Sequence, residues 1–179
     1  MNHNTYYYDL VLRSIPPNCK RALDAGCGRG LLTHRMVSRC AEVIGIDSDP
    51  HGSGFVQGDV MSYPFEEGSF DFIAVVATLH HLPLIPALTR FRDLLAPGGV
   101  LAIVGLYRAR RRADYAVSAV ALPVSWILRG IHGHTDVGAP LQTPKETLGE
   151  IKAACDALLP GAILKRRLLF RYSLVWTKR

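Results

Sequence analysis

The sequence predicts an α/β fold: a doubly wound, mostly parallel sheet flanked by helices and finished by an antiparallel C-terminal strand. Three observations predict it. Short apolar runs alternate with helical patterns between residues 21 and 106, as in successive strand–helix–strand units. One run, Phe70-Asp71-Phe72-Ile73-Ala74-Val75-Val76-Ala77, is apolar enough to be covered on both faces, the condition of a central parallel strand. Another, Ala22-Leu23-Asp24-Ala25-Gly26-Cys27-Gly28-Arg29-Gly30, leads from a strand into a glycine-rich turn and then into a helix.

The elements follow in order. Residues 5–15 have a helical pattern that Pro16-Pro17 stops. Residues 21–25 form a first strand, 31–40 a helix, and 42–47 a second strand. Residues 54–59 form a third strand and 70–77 a fourth. Apolar residues at helical spacing over 84–95 give the next helix, which Pro97-Gly98-Gly99 ends before a fifth strand at 100–106. Residues 107–142 form an inserted, cap-like segment: a basic stretch, an apolar helix that includes Trp126, and a glycine-rich loop. Thr143-Pro144-Lys145-Glu146 reads as a capping box that opens a helix reaching about residue 159. Pro160-Gly161 then turns the chain into two strands, 163–170 and 172–177. The expectation is one domain over 1–179, divided into a core at 20–106, the insert at 107–142 and a C-terminal helix and strand pair at 143–179.

Composition narrows the class. Of the 179 residues, 49% are hydrophobic, enough for a substantial core and too many for a disordered chain. The longest uncharged apolar stretch, 115–128, has 14 residues, short of the roughly 20 that a membrane span needs. No signal peptide pattern is visible. Cys19, Cys27, Cys40 and Cys155 form no paired motif, so they read as free thiols in a reducing cytoplasm, with no metal site. The net charge of +6 gathers at Arg108, Arg110, Arg111 and Arg112 and at Lys165, Arg166 and Arg167. A solvated surface accounts for these clusters, and an anionic substrate, a nucleic acid or an acidic membrane surface would also suit them.

The chemistry lies in the turns after the strands. Glycines at 26, 28 and 30 let the backbone approach a ligand, and the amides of the following helix point at it. The nicotinamide fingerprint needs a third glycine where Leu31 stands, so that pattern fails. Asp24 sits where it can accept from an ammonium group and would repel a pyrophosphate. Asp47 ends the second strand, where an acid accepts from ribose hydroxyls. Asp59, in Val56-Gln57-Gly58-Asp59-Val60, can accept from an adenine amino group. The fourth strand ends at the polar cluster Thr78-Leu79-His80-His81.

Over residues 20–106 the chain resembles the class I S-adenosylmethionine (SAM)-dependent methyltransferases, and within them the ubiquinone and menaquinone C-methyltransferase (methyltransferase type 11) group. The termini resemble a small bacterial branch of it. The resemblance implies a Rossmann-like sheet and SAM as cofactor. It implies that Asp24, Ala25, Gly26 and Gly28 hold the methionine part, and that Asp47 and Ser48 hold the ribose. Gly58, Asp59 and Val60 would take the adenine, and Ala77, Thr78 and His81 would lie near the methionine group.

One departure stands out. The family carries a helix between its second and third strands, and here only Ser48-Asp49-Pro50-His51-Gly52-Ser53-Gly54 separates Asp47 from Phe55. A parallel crossover usually takes a dozen or more residues. One of the two strands is therefore expected to be short, or one face uncovered, with a second copy of the chain in a homodimer as one cover for the gap. His80 and His81, at the mouth of the site, are the candidate bases for an acceptor that must lose a proton. Tyr6, Tyr7 and Tyr8 are candidates for a lid, and His132-Gly133-His134-Thr135-Asp136 reads better as a loop than as a metal cluster.

The expected function is methyl transfer to a small-molecule acceptor in the cytoplasm. Two alternatives stand beside it: an RNA or protein methyltransferase using the basic clusters, and a non-catalytic SAM-binding homologue. Nucleic acid is disfavoured because the chain lacks both the Asn/Asp-Pro-Pro-Tyr type motif and a Pro-Cys nucleophile. Transient membrane-surface contact through Arg108 to Arg112 and the following apolar helix is compatible with the first reading.

Overall fold

The structure, a computed structural model, describes residues 7–109, 143–168 and 170–179. Its elements are α1 (Tyr8–Arg13), β1 (Arg21–Ala25), α2 (Leu31–Met36), β2 (Glu42–Asp47), β3 (Val56–Gln57), β4 (Phe70–Val76), α3 (Leu84–Leu94), β5 (Leu95–Leu106), α4 (Leu148–Leu158), β6 (Ile163–Arg167) and β7 (Arg171–Thr177). The strands form one seven-stranded sheet in the order β3-β2-β1-β4-β5-β7-β6. The first five strands run parallel, and β7 inserts antiparallel between β5 and β6. This is the doubly wound, mostly parallel sheet with an antiparallel C-terminal strand that the sequence predicts.

Strand periodicity divides the core into two layers. Ala22, Phe72, Ala74, Ala102 and Val104 face α1 and α2, together with Val11, Leu12, Leu32 and Met36. Leu23, Ile73, Val75, Leu101, Ile103 and Leu174 face α3 and α4, against Leu88, Phe91, Ile151 and Leu159. Central strands covered on both faces account for the near-continuous apolar reading of residues 70–77.

Several boundaries differ from the expected ones. The helix expected at 31–40 ends at Met36, where the amides of Arg39 and Cys40 turn back onto its carbonyl. α3 stops at Leu94 and β5 begins at once. Pro97-Gly98-Gly99 therefore lies inside the long strand, with the Gly98 amide donating to the Lys178 carbonyl and the Lys178 amide to that of Gly99. The predicted cap at Thr143 is displaced by one turn. Thr147 is the N-cap, taking the Glu150 amide on its hydroxyl while Glu150 accepts from the Thr147 amide. The Glu146 carbonyl is held by the Arg108 amide, which keeps residue 146 outside the helix. The last strand starts at Arg171, one residue earlier than expected.

The short crossover has its predicted consequence. No helix forms between β2 and β3, and β3 is two residues long, not the six of 54–59. One side chain partly fills the vacancy. The Phe55 ring lies over β2 and the start of α2, and a Cβ on Gly30 or Gly45 would run into it. A Cβ on Gly52 would also stand 3.0 Å from the ring, and His34 packs on it at 5.7 Å between centroids. Three glycines thus form a slot for one aromatic side chain, which takes the place of the absent helix.

The arginine cluster beyond Arg108, the apolar stretch with Trp126, the segment 132–136, Tyr6 and the first residues of the leading helix lie outside the described residues. No described helix is long and apolar enough to cross a membrane. All four cysteines are free thiols.

Because Phe55 is half-buried, Phe55→Ala is expected to cost about 2 kcal/mol, below the 3–5 of a fully buried phenylalanine. Urea unfolding measures it, and a loss under about 0.5 kcal/mol, the size of an ordinary surface change, would remove the plug from the account.

Candidate functional site

The carboxyl ends of β1, β2 and β4 converge on one edge of the sheet. The turn after β1 is tied to β2 by the amides of Gly26 and Cys27, which donate to the Ile46 carbonyl at 2.8 and 3.1 Å. The Gly28 amide donates to Asp47 Oδ2 at 2.9 Å and the Asp49 amide to Asp47 Oδ1 at 3.0 Å. The carboxylate is thus pinned at the end of β2, and each oxygen keeps capacity for a further donor. Gly26 adopts φ +78° and packs against Thr78, leaving no room for a side chain. Gly28, at φ +51°, faces open space. A residue that must be left-handed beside an empty hollow is the arrangement through which a backbone approaches a ligand.

Asp24 ends up deeper than the sequence suggests. It is 2% exposed and accepts the Thr33 hydroxyl at 2.6 Å, against the first turn of α2. Burial raises its pKa to about 6, against the lowering effect of the Thr33 hydrogen bonds, with the Asp47 charge adding to the rise. Burial also raises the Tyr8 phenol, and the Asp24 charge adds to it. Burial, with the charges of Asp24 and Asp47, lifts the Cys27 thiol to about 12, which keeps it protonated. Ala25 is fully buried and can serve only through its backbone.

The remaining predicted residues line the same edge. The Gly58 amide donates to the Asp47 carbonyl at 2.9 Å, which brings β3 to β2. Asp59 folds back on its own loop, accepting the Met61 amide at 2.9 Å, while Val60 is buried. Ser48 is exposed beside Asp47. Ala77 holds φ +55°, unusual for a residue with a Cβ, and its amide donates to the Val104 carbonyl at 2.8 Å. Such strain tends to sit where a chain must present a site. Thr78 donates its hydroxyl to the Val76 carbonyl and takes the amide of His81.

The two histidines part company. His81 is exposed, whereas His80 is half-buried and its Nδ1 is enclosed without a hydrogen-bond partner. Their rings lie 4.0 Å apart. Burial lowers His80 to about 4, with the charges of His81 and Arg171 adding to the fall, so its imidazole is neutral near pH 7.

Sequence reasoning missed three participants. Phe55 and Thr33 carry no local signal. Arg171 does: it is a charge at the head of an otherwise apolar strand. It is 9% exposed, its Nε and Nη1 are enclosed with no acceptor, and among the described residues it interacts electrostatically with Tyr7 and His80.

The residues at this edge suit SAM. Asp24 is a buried carboxylate in need of a cation, the hollow over Gly28 admits a ligand, and Asp47 keeps free acceptor capacity. Of the basic residues of β6, Arg166 lies over Tyr107 at 5.8 Å and Arg167 Nε donates to Ser173 at 2.8 Å, while Lys165 is exposed.

Comparison with known proteins agrees with this arrangement. Residues 23–103 match the family model described as a methyltransferase domain. An uncharacterized methyltransferase of Mycobacterium tuberculosis is 30% identical over 98% of this chain and 95% of its own length. A ubiquinone biosynthesis O-methyltransferase of Xanthomonas oryzae is 33% identical over 68% of this chain and 58% of its own. Among solved structures, the N-methyltransferase NodS of Bradyrhizobium japonicum, in complex with S-adenosylhomocysteine (SAH), superposes with a TM-score of 0.63 at 15% identity, over 97% of this chain and 86% of that one.

A raised carboxyl pKa stabilises the ligand-free fold most below the ordinary value of 3.8, and that contribution is lost as pH rises through about 6. The difference in unfolding free energy between the native chain and Asp24→Asn should therefore shift by up to about 3 kcal/mol between pH 4 and 7. Urea titrations across that range measure it, and a flat difference would mean that Asp24 is solvated.

Proposed function

The chain belongs to the SAM-dependent methyltransferases, and from that premise we propose that it transfers the methyl group to a small-molecule acceptor lying over the ends of β4 and β5. Its cofactor is SAM, which supplies a methyl group already activated on a sulfonium. What is left for the protein is to bind, orient and exclude water, and to take a proton where the acceptor must lose one.

On this reading Asp24, Ala25, Gly26 and Gly28 hold the amino-acid end of the cofactor. Asp47 and Ser48 take the ribose, Gly58, Asp59 and Val60 the base, and Ala77, Thr78 and His81 the region beside the methionine group. The observation that carries the acceptor assignment is the enclosed, unpartnered Nδ1 of His80. A group this far inside is reached by a molecule that enters the hollow, not by a surface lying across it. His80 rather than His81 is then the residue facing the acceptor, and its neutral ring can accept a hydrogen bond from an acceptor O–H or N–H.

Two measurements test the reading. Calorimetric titration with SAM and SAH should give saturable binding that Asp47→Ala weakens by at least about tenfold, since a hydrogen bond to a charged group contributes about 1.5–3 kcal/mol. Absence of binding to either ligand in the native chain would sink it. Once labelled-methyl screening yields an acceptor, His80→Gln should lower kcat by about 10²-fold with SAH affinity unchanged. An unchanged kcat would give the proton to solvent.

A further inference from the structure

Building on the acceptor position above, we propose that Arg171 selects the acceptor by binding a carboxylate that it carries. Arg171 opens β7 opposite Leu106, at the carboxyl end of β5. Strand alternation puts it on the same face as Val175, toward α1, while Tyr172 and Leu174 face the other layer. It arrives there beside Tyr7 and His80, from three separate parts of the chain.

The guanidinium is 9% exposed, with Nε and Nη1 enclosed and without an acceptor. None of the ion pairs among the described residues includes it. Buried cations are ordinarily paired, because removal from water costs more than packing returns. Among the described residues, those that interact electrostatically with it are Tyr7 and His80, a phenol and an imidazole, and neither supplies a negative charge. The Nδ1 of His80, a ring on which the Arg171 charge acts, is unpartnered as well. Two enclosed orphan groups, one at the head of β7 and one in the turn after β4, both at the working edge, mark a place that a ligand completes. A neutral ligand would satisfy hydrogen bonds and leave the charge uncompensated. A carboxylate matches both the charge and the planar donor fork of arginine.

The cofactor's own carboxylate is a poorer match. The glycine turn that receives it follows β1, and the strand order places β7 three strands away. At about 4.8 Å per strand that is about 14 Å. His80, at the end of β4, lies between. The acceptor would thus span from Arg171, at its anionic end, to His80, at its reacting end. The bound anion would also raise the His80 pKa from its depressed value, toward the range in which an imidazole is a useful base.

The probes are benzoate and butyrate, with benzamide and butyramide as neutral isosteres, titrated into the full chain saturated with SAH. At least one carboxylate should bind one-to-one, at least about tenfold more tightly than its amide. Arg171→Met should abolish that preference with SAH affinity held within about twofold, and Arg171→Lys should keep part of it. Equal affinity for acid and amide, or no saturable binding of either acid, would overturn the proposal. A parallel loss of SAH affinity in Arg171→Met would assign the guanidinium to the cofactor and overturn it too. Should Arg171→Met fail to fold, the acid–amide comparison on the native chain decides alone. Failure of SAH itself to bind the native chain is a different result, which strikes the methyl-transfer site and not the acceptor's charge.

Discussion

The carbonyl oxygen of Ile46 accepts from two consecutive amides, Gly26 and Cys27, and this fork sets the geometry of the whole working edge. It draws the turn after β1 across the end of β2, so that the next amide, Gly28, meets the Asp47 carboxylate. It also fixes where α2 begins, because the Gly30 amide closes back on the Cys27 carbonyl and Gly30 is the helix N-cap. Once α2 starts there, Thr33 stands over Asp24. The carboxylates at the ends of β1 and β2 are therefore positioned by one set of backbone hydrogen bonds, and side-chain packing only secures them. Gly26 is required twice over, by its left-handed backbone and by its contact with Thr78 of the β4 loop.

That fork lets the fold tolerate the loss of a crossover helix. A seven-residue link cannot lay a helix on the sheet, so the edge beyond β2 is thin: β3 pairs only through Val56 and Gln57. Phe55 seals the α2 side with a ring in a glycine slot. Lower on the same edge, residues 42–45 have no neighbour on β3, and Arg21 and Glu42 form an ion pair at 3.1 Å there. Charge on an open strand edge discourages pairing with another chain. A groove of about 400 Å³, lined by Arg21, Ile44, Val56, Tyr63 and Phe65 among others, remains at that end. Its lining includes Arg21 at the start of β1 and none of the glycine-turn residues, so this groove is separate from the hollow over Gly28.

Much of this was legible in advance, for physical reasons. β1 and β2 fall at their expected bounds because each apolar run is bracketed by charged or turn-forming residues, Arg21 and Gly26 for one and Glu42 and Asp47 for the other. The glycine turn and its acids were legible because only certain residues can do what that turn requires. Legibility failed where a local pattern had two equivalent solutions. Thr143 and Thr147 each stand three residues before a Glu, and the choice fell to the tertiary bond from Arg108 to the Glu146 carbonyl. The proline and two glycines at 97–99 read as a stop because nothing local reveals that Lys178 pairs across them. In the site, Asp24 was identified by position, but its burial beneath Thr33 was not, since α2 meets it only in three dimensions. Arg171 was passed over because its strand was taken to begin one residue later, at Tyr172.

Asp24 and Arg171 share one electrostatic condition with opposite signs. Each is a buried charge that none of the ion pairs among the described residues includes, one at the end of β1 and the other at the head of β7. Between them lie β4 and β5, with strained Ala77 and neutral His80 at the β4 end. Such a sheet is less stable empty than a fully paired one, and a molecule that returns the missing charge recovers part of that cost on binding. The ammonium of the cofactor answers Asp24, and an anionic acceptor answers Arg171. The two ligands would then be ordered along a single axis of the sheet by the field of the protein, cation toward β1 and anion toward β7, with the reacting atoms brought together above β4. A neutral acceptor gains nothing from that axis. Selection of the partner and alignment for the displacement therefore become the same electrostatic event.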